Sequence, residues 1–153
     1  MEKTFAETSE KDITKSIAAM FNETIQEYAD SQIIIIGAGP AGLTAGRKLA
    51  AAGLKTLIVE QNNYLGGGYW VGGYMMNPVT VRSPAQMIWD ELGVPYRKMG
   101  NGLYATWGPH ACSKLIAATC DAGVRFLQLT KFDDLILKNG RVGGVVVNWM
   151  PVS

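Results

Sequence analysis

Cysteine and histidine are nearly absent, with two of the first and one of the second among 153 residues. So few ligands, without metal spacing, exclude a disulfide framework and the common zinc signatures. Cys112 and Cys120 lie eight residues apart on one predicted helix, too far for a helical disulfide, and read as reduced core or surface thiols. Cys112 has no adjacent base or cationic cluster to lower its pKa, and is read as structural. His110, near a predicted helix start, reads as a solvated or capping residue and is not nominated for catalysis. Charge of one sign is also lacking: the net charge is +1, with no basic surplus for nucleic acid. Long apolar runs are missing too, all of them far below the roughly 20 residues a bilayer needs. The polar, acidic start is no signal peptide. These absences predict a cytoplasmic protein with no nucleic-acid partner and no membrane partner.

Glycine, by contrast, is plentiful, with 18 residues, and the first of them stand in the stretch 33–42, IIIIGAGPAG. Four consecutive β-branched residues predict a strand buried on both faces, and an alanine-rich helical pattern follows the glycines. Gly37, Gly39 and Gly42 form G-x-G-x-x-G: the first allows a tight turn, the second lets backbone approach a pyrophosphate, and the third lets helix and strand pack closely. The helix N-terminus then presents free N–H groups and a positive dipole to phosphate. Residues 43–52 continue the helix, Gly53 stops it, and TLIVE at 56–60 is a second buried strand ending on an acid. Glu60 stands 18 residues beyond Gly42, close to the usual offset of about 20 for the carboxylate that holds an adenosine ribose diol.

A second glycine-rich stretch follows at 61–78, QNNYLGGGYWVGGYMMNP. Its glycines disfavour a helix and leave backbone bare enough to touch a ligand. Tyr69, Trp70, Tyr74, Met75 and Met76 make it more apolar than a solvated linker. Glu60 with Gly66 and Gly67 gives E-x5-G-G, a continuation shared by flavin-binding and related dinucleotide proteins.

Around these motifs the pattern predicts an amphipathic helix carrying Ile13, Ile17, Phe21, Ile25 and Tyr28, read as a packing element against the sheet or a neighbouring subunit. Beyond them come a short strand at 79–82, a helix after Pro84 with Met87, Ile88 and Leu92 inward, extended pieces at 94–98 and 103–107, and a helix at 109–122. A strand at 124–129 leads to a hairpin of 135–138 with 141–147 across Asn139-Gly140. Asp133 and Asp134, adjacent on a strand, fall on opposite faces and make no paired-carboxylate site. Arg82 is read as a surface residue that could reach a phosphate. The fold class is α/β: a Rossmann-like FAD/NAD(P)-binding fold, a parallel sheet with helices plus an antiparallel β-hairpin. Residues 1–31 form the N-terminal segment and lead-in helix, and 32–153 the dinucleotide-binding domain.

The run GAGPAGLTAGRKLAAAGLKTLIVEQNNYLGGGYWVGGYMMNPVTV resembles the N-terminal half of the thiamine thiazole synthase family, which carries a closely similar G-G-G-x-W-x-G-G-x-M loop. The helix at 12–28 and the later segments ELGVPY, GNGLYATWGP and DAGVRFLQLTKFDDLILKNGRVGGVVVNW follow the family order as well. Some relatives carry the activity of ribose 1,5-bisphosphate isomerase or ribulose 1,5-bisphosphate synthetase. The resemblance implies that NAD is consumed as a substrate: nicotinamide is released, the ADP-ribose part is isomerised and condensed with glycine, and sulfur closes an ADP-linked thiazole. Sulfur comes from a protein cysteine in some members and from sulfide with bound iron in others. Carried over position by position, Ala41 lies at the turn, Glu60 and Gln61 at the adenosine ribose, Gly67 and Gly68 in the glycine loop, and Phe132 beside the adenine. Gln61 departs from the basic residue often found there.

Family members continue beyond the N-W-x-x-V that ends this chain, and their iron ligands, donor cysteine and glycine-binding arginine lie in that continuation. No catalytic or metal residue is therefore carried over. The chain is expected to be incomplete at its C-terminus, as a fragment of the enzyme or a shortened relative, with an uncovered sheet face or edge that makes it associate. The family also implies a homo-oligomer. Two alternatives stand beside this reading: an FAD-dependent oxidoreductase of the E-x5-G-G type, and a non-catalytic nucleotide-binding or assembly module.

Overall fold

The computed structural model describes residues 5–151. The chain divides after Ser31 into two compact units. The first carries one helix, α1 (Glu10–Tyr28). The Ser9 hydroxyl caps it by accepting the Asp12 N–H, and Glu10 and Asp12 place negative charge at its positive end. Of the apolar positions expected to pack, Ile13, Ile17, Phe21 and Ile25 are exposed and Tyr28 is buried.

The second unit holds β1 (Ile33–Ile36), α2 (Pro40–Ala51), β2 (Thr56–Val59), two single 3-10 turns (Gly67–Tyr69 and Gly73–Met75), β3 (Pro78–Arg82), α3 (Gln86–Leu92), β4 (Arg97–Gly100), β5 (Leu103–Trp107), α4 (Gly108–Asp121), β6 (Arg125–Leu127), β7 (Thr130–Lys138) and β8 (Arg141–Trp149). A parallel sheet runs in the order β1-β2-β6, with Ile33 opposite Thr56 and Leu57 opposite Arg125. A second sheet is antiparallel in the order β3-β5-β4, and β7 and β8 form a two-stranded ribbon. The structure is α/β, with the parallel sheet, helices and antiparallel hairpin that the sequence predicts.

The middle strand explains the core. All four residues of β2, Thr56 and the apolar run Leu57, Ile58 and Val59, are buried between two parallel neighbours. Ile58 packs with Ala38, Leu43, Leu115 and Val124, joining β2 to α2 and α4. Gly46 lets α2 come that close, because a Cβ there would stand 2.9 Å from Ile58 Cδ1. A second cluster of Trp89, Val94 and Ala111 lies under the antiparallel sheet, and Tyr69 packs against both.

Several expectations are corrected. β1 is not buried on both faces: it is the edge of its sheet among the described residues, and Ile36 is 48 % exposed. In α3 it is Trp89, not Met87, that turns inward, with exposures of 1 % and 56 %. Pro84, joined to Ser83 by a cis peptide, precedes α3, which begins at Gln86. The extended piece before the Gly100-Asn101-Gly102 turn begins at Arg97, and the hairpin strands are nine residues each, longer than read. Asn139 and Gly140 both have positive φ, as their two-residue turn demands. A bulge between Phe132 and Asp134 breaks the alternation assumed for the two aspartates, and Asp133 pairs instead with Lys131 and Asn148.

Candidate nucleotide-binding site

The chain leaves β1 through a turn whose shape its glycines set. Gly37 takes φ +96°, and its N–H donates to the Val59 carbonyl at 2.8 Å, tying the turn to β2. Gly42 is required for a different reason: a Cβ there would lie 2.0 Å from the Gly37 carbonyl oxygen. Gly39 has neither constraint. Its φ is −69°, and a Cβ would meet no atom within 4 Å. The space above it is open, as a site for an approaching phosphate needs to be. Pro40 opens α2 without wasting an N–H, and the N–H groups of Ala41 and Gly42 have no partner four residues back within the helix.

The glycine loop lies directly on this turn. Gly66 N–H donates to Ala38 O at 2.7 Å, and a Cβ on Gly67 would stand 3.7 Å from Gly39 Cα. Gly68 again faces open space. The loop is structured by its own bonds, Gly72 N–H to Gly68 O and Asn77 N–H to Val71 O. Tyr74, Met75 and Met76 nevertheless point outward and are exposed.

Glu60 ends β2 with 5 % exposure. One carboxylate oxygen accepts the Ala38 N–H at 2.7 Å, and the other accepts the Asn62 N–H and side-chain amide, both at 2.8 Å. The acid thus braces the glycine turn as well as facing a cleft. That cleft, about 340 Å³, is lined by Gly37, Glu60, Gln61, Asn62, Lys131 and Phe132 among others. Thr130 N–H bonds the Glu60 carbonyl and Leu129 N–H bonds the Asn62 carbonyl, which fixes the start of β7 beside the end of β2 and brings Phe132 there. A ribose diol needs two acceptor sites on a carboxylate whose roughly four sites already hold three bonds, so diol binding requires the Asn62 amide to swing away. Glu60→Ala strands the buried Ala38 N–H and the Asn62 N–H. It is expected to cost about 2–6 kcal/mol, at roughly 1–3 kcal/mol for each unsatisfied donor, measured by denaturant unfolding.

The sequence-named residues therefore fall on two sides of one helix start. Gly37, Glu60, Gln61 and Phe132 line the small cleft, while Ala41 and Gly68 line a cavity of about 680 Å³ on the other side. Gly39, Gly42 and Gly67 lie in the turn and the loop between them. Sequence reasoning missed Asn62 and Lys131 in the cleft and Thr44, Trp89 and the role of Tyr69 in the cavity. Only the long-range packing of α3 and β7 brings most of these into place. Arg82 is exposed and lines neither the cleft nor the cavity. His110 is exposed and borders a separate hollow with Tyr96, Arg97 and Trp107.

Cys112 sits beneath the loop, its Sγ occupying the place a Gly66 Cβ would need. Burial pushes its thiol up to about 11. The unfolded thiol loses its proton first, near pH 8.5, so the linked stability is intact below that and is lost as pH rises towards about 11. Cys112→Ala is expected to flatten this part of an alkaline unfolding profile. In the native chain at pH 8, alkylation should label the exposed Cys120 and leave Cys112 untouched.

A glycine turn at a helix start, an acid closing the next parallel strand and a glycine loop laid over both define a protein of the Rossmann-like dinucleotide-binding class. Comparison with known proteins narrows the class. The Thi4 family model matches residues 14–153, and this chain belongs to that family. Thiamine thiazole synthase of Aeropyrum pernix is 55% identical over 149 residues, covering 97% of this chain and 55% of that protein. The crystal structure of Thermovibrio ammonificans THI4 superposes with a TM-score of 0.90 at 33% identity, covering 94% of this chain and 57% of its own. A 3-ketosteroid dehydrogenase of Rhodococcus jostii, at 14% identity and a TM-score of 0.62, shares the fold alone. The chain spans about half the length of the curated relatives it matches. No helix among the described residues is long and apolar enough to cross a membrane. Among them, no three His, Cys, Asp or Glu side chains gather to hold a metal ion.

Proposed function

We propose that this chain is the NAD-binding part of a thiamine thiazole synthase, which makes an ADP-linked thiazole from NAD, glycine and a sulfur source. The observation that carries the reading is the open Gly39 position at the start of α2, two residues beyond Gly37, which lines one cleft with Glu60 and Phe132. Such a cradle accepts a pyrophosphate on backbone N–H groups with an adenosine to one side. The names of the relatives support the choice of reaction. In this reading Ala41, Gly42 and the glycine loop hold the diphosphate, Glu60 with Gln61 takes the ribose hydroxyls, and Phe132 lies against the adenine. Iron is assigned to no residue of this chain. Assembly into a homo-oligomer belongs to the same proposal.

Titration calorimetry with NAD, ADP-ribose and FAD tests it, together with the absorbance spectrum of the purified protein. NAD and ADP-ribose should bind, and no flavin band should appear. A yellow protein that ignores NAD would establish the FAD-dependent alternative. Incubation with NAD, glycine, sulfide and ferrous iron separates a complete enzyme from a nucleotide-binding module: an adenylated thiazole marks the first, and binding without product the second.

A further inference from the structure

We propose that the hollow of about 630 Å³ on the antiparallel sheet, bordered by Arg97, Trp107 and His110, is a second ligand site, for a small anion with a flat apolar body such as an aryl phosphate or aryl carboxylate. It shares no lining residue with the Glu60 cleft or with the larger cavity, so it stands independently of the NAD reading.

Strand register assembles the hollow. Pro78 lies opposite Trp107, and Arg97 opposite Ala105. Side chains two apart on a strand share a face, so these four residues stand together on one side of the sheet. The other side, with Val79, Val81 and Tyr104, packs on the Trp89 cluster. The chain passes from β5 straight into α4, which puts His110 in the first helical turn beside Trp107. The volume falls within the range of about 300–1,000 Å³ typical of small-molecule sites.

The polar groups left over in the hollow select the charge of its occupant. The Thr106 hydroxyl is spent on the Pro95 carbonyl, and the Tyr96 hydroxyl on Asp90 Oδ1 at 2.9 Å. Among the described residues, the Arg97 guanidinium joins none of the ion pairs, which engage Arg47, Lys48 and Lys131, and the Trp107 and His110 side chains make no hydrogen bond. No carboxylate borders the hollow. Its free groups are therefore a guanidinium, an indole N–H and an imidazole, and a guanidinium fork takes a carboxylate or phosphate through two parallel bonds. The rest of the wall is apolar: Pro78, Pro95, Met99 and Ala105, with the rings of Tyr96 and Trp107. Trp107 is 54% exposed, a large aromatic surface beside an unpaired cation. A bare inorganic anion would leave that surface wet, a neutral ring would leave the guanidinium unpaired, and an aryl anion satisfies both.

NMR titration of the 153-residue chain tests the site, because its four tryptophans each give an indole N–H signal and only Trp107 borders the hollow. Trp107→Phe identifies the Trp107 signal. Phenyl phosphate or benzoate should shift it saturably, with a dissociation constant of about 1 mM or below, and leave the signals of Trp70, Trp89 and Trp149 in place. The tighter of the two names the head group. Inorganic phosphate and phenol, each with half of the required chemistry, should bind about tenfold more weakly or worse. Arg97→Ala should weaken phenyl phosphate about tenfold or more, the loss of hydrogen bonds to a charged group. Arg82→Ala, an exposed arginine of the same sheet that does not border the hollow, should change nothing. Saturating NAD should leave the constant within about twofold, since the two sites share no residue. The proposal is overturned if the Trp107 signal does not shift saturably, if inorganic phosphate binds as well as phenyl phosphate, if Arg82→Ala weakens binding as much as Arg97→Ala, or if NAD displaces the ligand. A chain that binds no NAD would remove the NAD reading and leave this site standing on its own titration.

Discussion

On the proposed NAD reading, Gly39→Ala is expected to lower affinity for NAD and ADP by roughly a hundredfold and to leave the melting temperature within a few degrees of the wild type. The two halves of that result have separate causes. Inside the protein an added methyl meets nothing within 4 Å, and φ −69° with ψ 176° is a backbone any residue adopts. Alanine is a poorer N-cap than glycine, yet it also reduces the freedom of the unfolded chain by about 0.4–1 kcal/mol, so the two effects largely offset. The methyl does, however, stand where a pyrophosphate would approach. Losing even one or two hydrogen bonds to a charged group costs about 1.5–3 kcal/mol each, hence the expected drop. Calorimetry and thermal denaturation on the same sample check both parts. An unchanged affinity would remove the phosphate from this turn.

Gly42→Ala gives the opposite pattern, loss of the fold first. The added Cβ would sit 2.0 Å from the Gly37 carbonyl oxygen, a backbone atom that no rotamer change can move. The turn has to open, straining the Gly37 bond to Val59 and the Leu43 bond to Gly39. Overpacking against rigid surroundings costs about 1–3 kcal/mol and occasionally more, and the upper end is expected here because backbone is displaced. For a domain of this size about 3 kcal/mol corresponds to roughly 6–12 °C in melting temperature. Two glycines of one motif, three residues apart, are thus separable: only Gly42 is held to glycine by the packing of the chain itself. A melting temperature unchanged by Gly42→Ala would contradict the close packing of α2 on the turn.

The local motifs were legible because each is a constraint between near neighbours. Strand, turn and helix at 33–51, the acid at 60 and the Asn139-Gly140 hairpin are properties of short segments, where φ sign, apolar runs and residue spacing act directly. Where reading failed, the cause was distant packing. The inward face of α3 depends on the cluster of Val94, Ala111, Tyr96 and Tyr104 that packs on Trp89. The half exposure of Ile36 depends on which strand lies beside β1, and no local pattern carries that. The bulge at Asp133 likewise follows from the register of β8.

The sequence by itself determined the class of the chain, the glycine turn, the acid that follows it and the family resemblance, because glycine geometry and strand burial are written residue by residue. Only the tertiary structure decided that Gly39 is sterically idle while Gly42 is not, and that Glu60 braces Ala38 and holds Asn62. It also decided that the start of α2 lies between a small polar cleft and a large apolar cavity. The bracing of Ala38 and the walls of the cavity depend on residues 20 or more positions apart, Glu60 against Ala38 and Trp89 against Tyr69, meeting at hydrogen-bond distance. Sequence spacing cannot express such a meeting, because it is the packing of β2, α3 and the glycine loop that creates it.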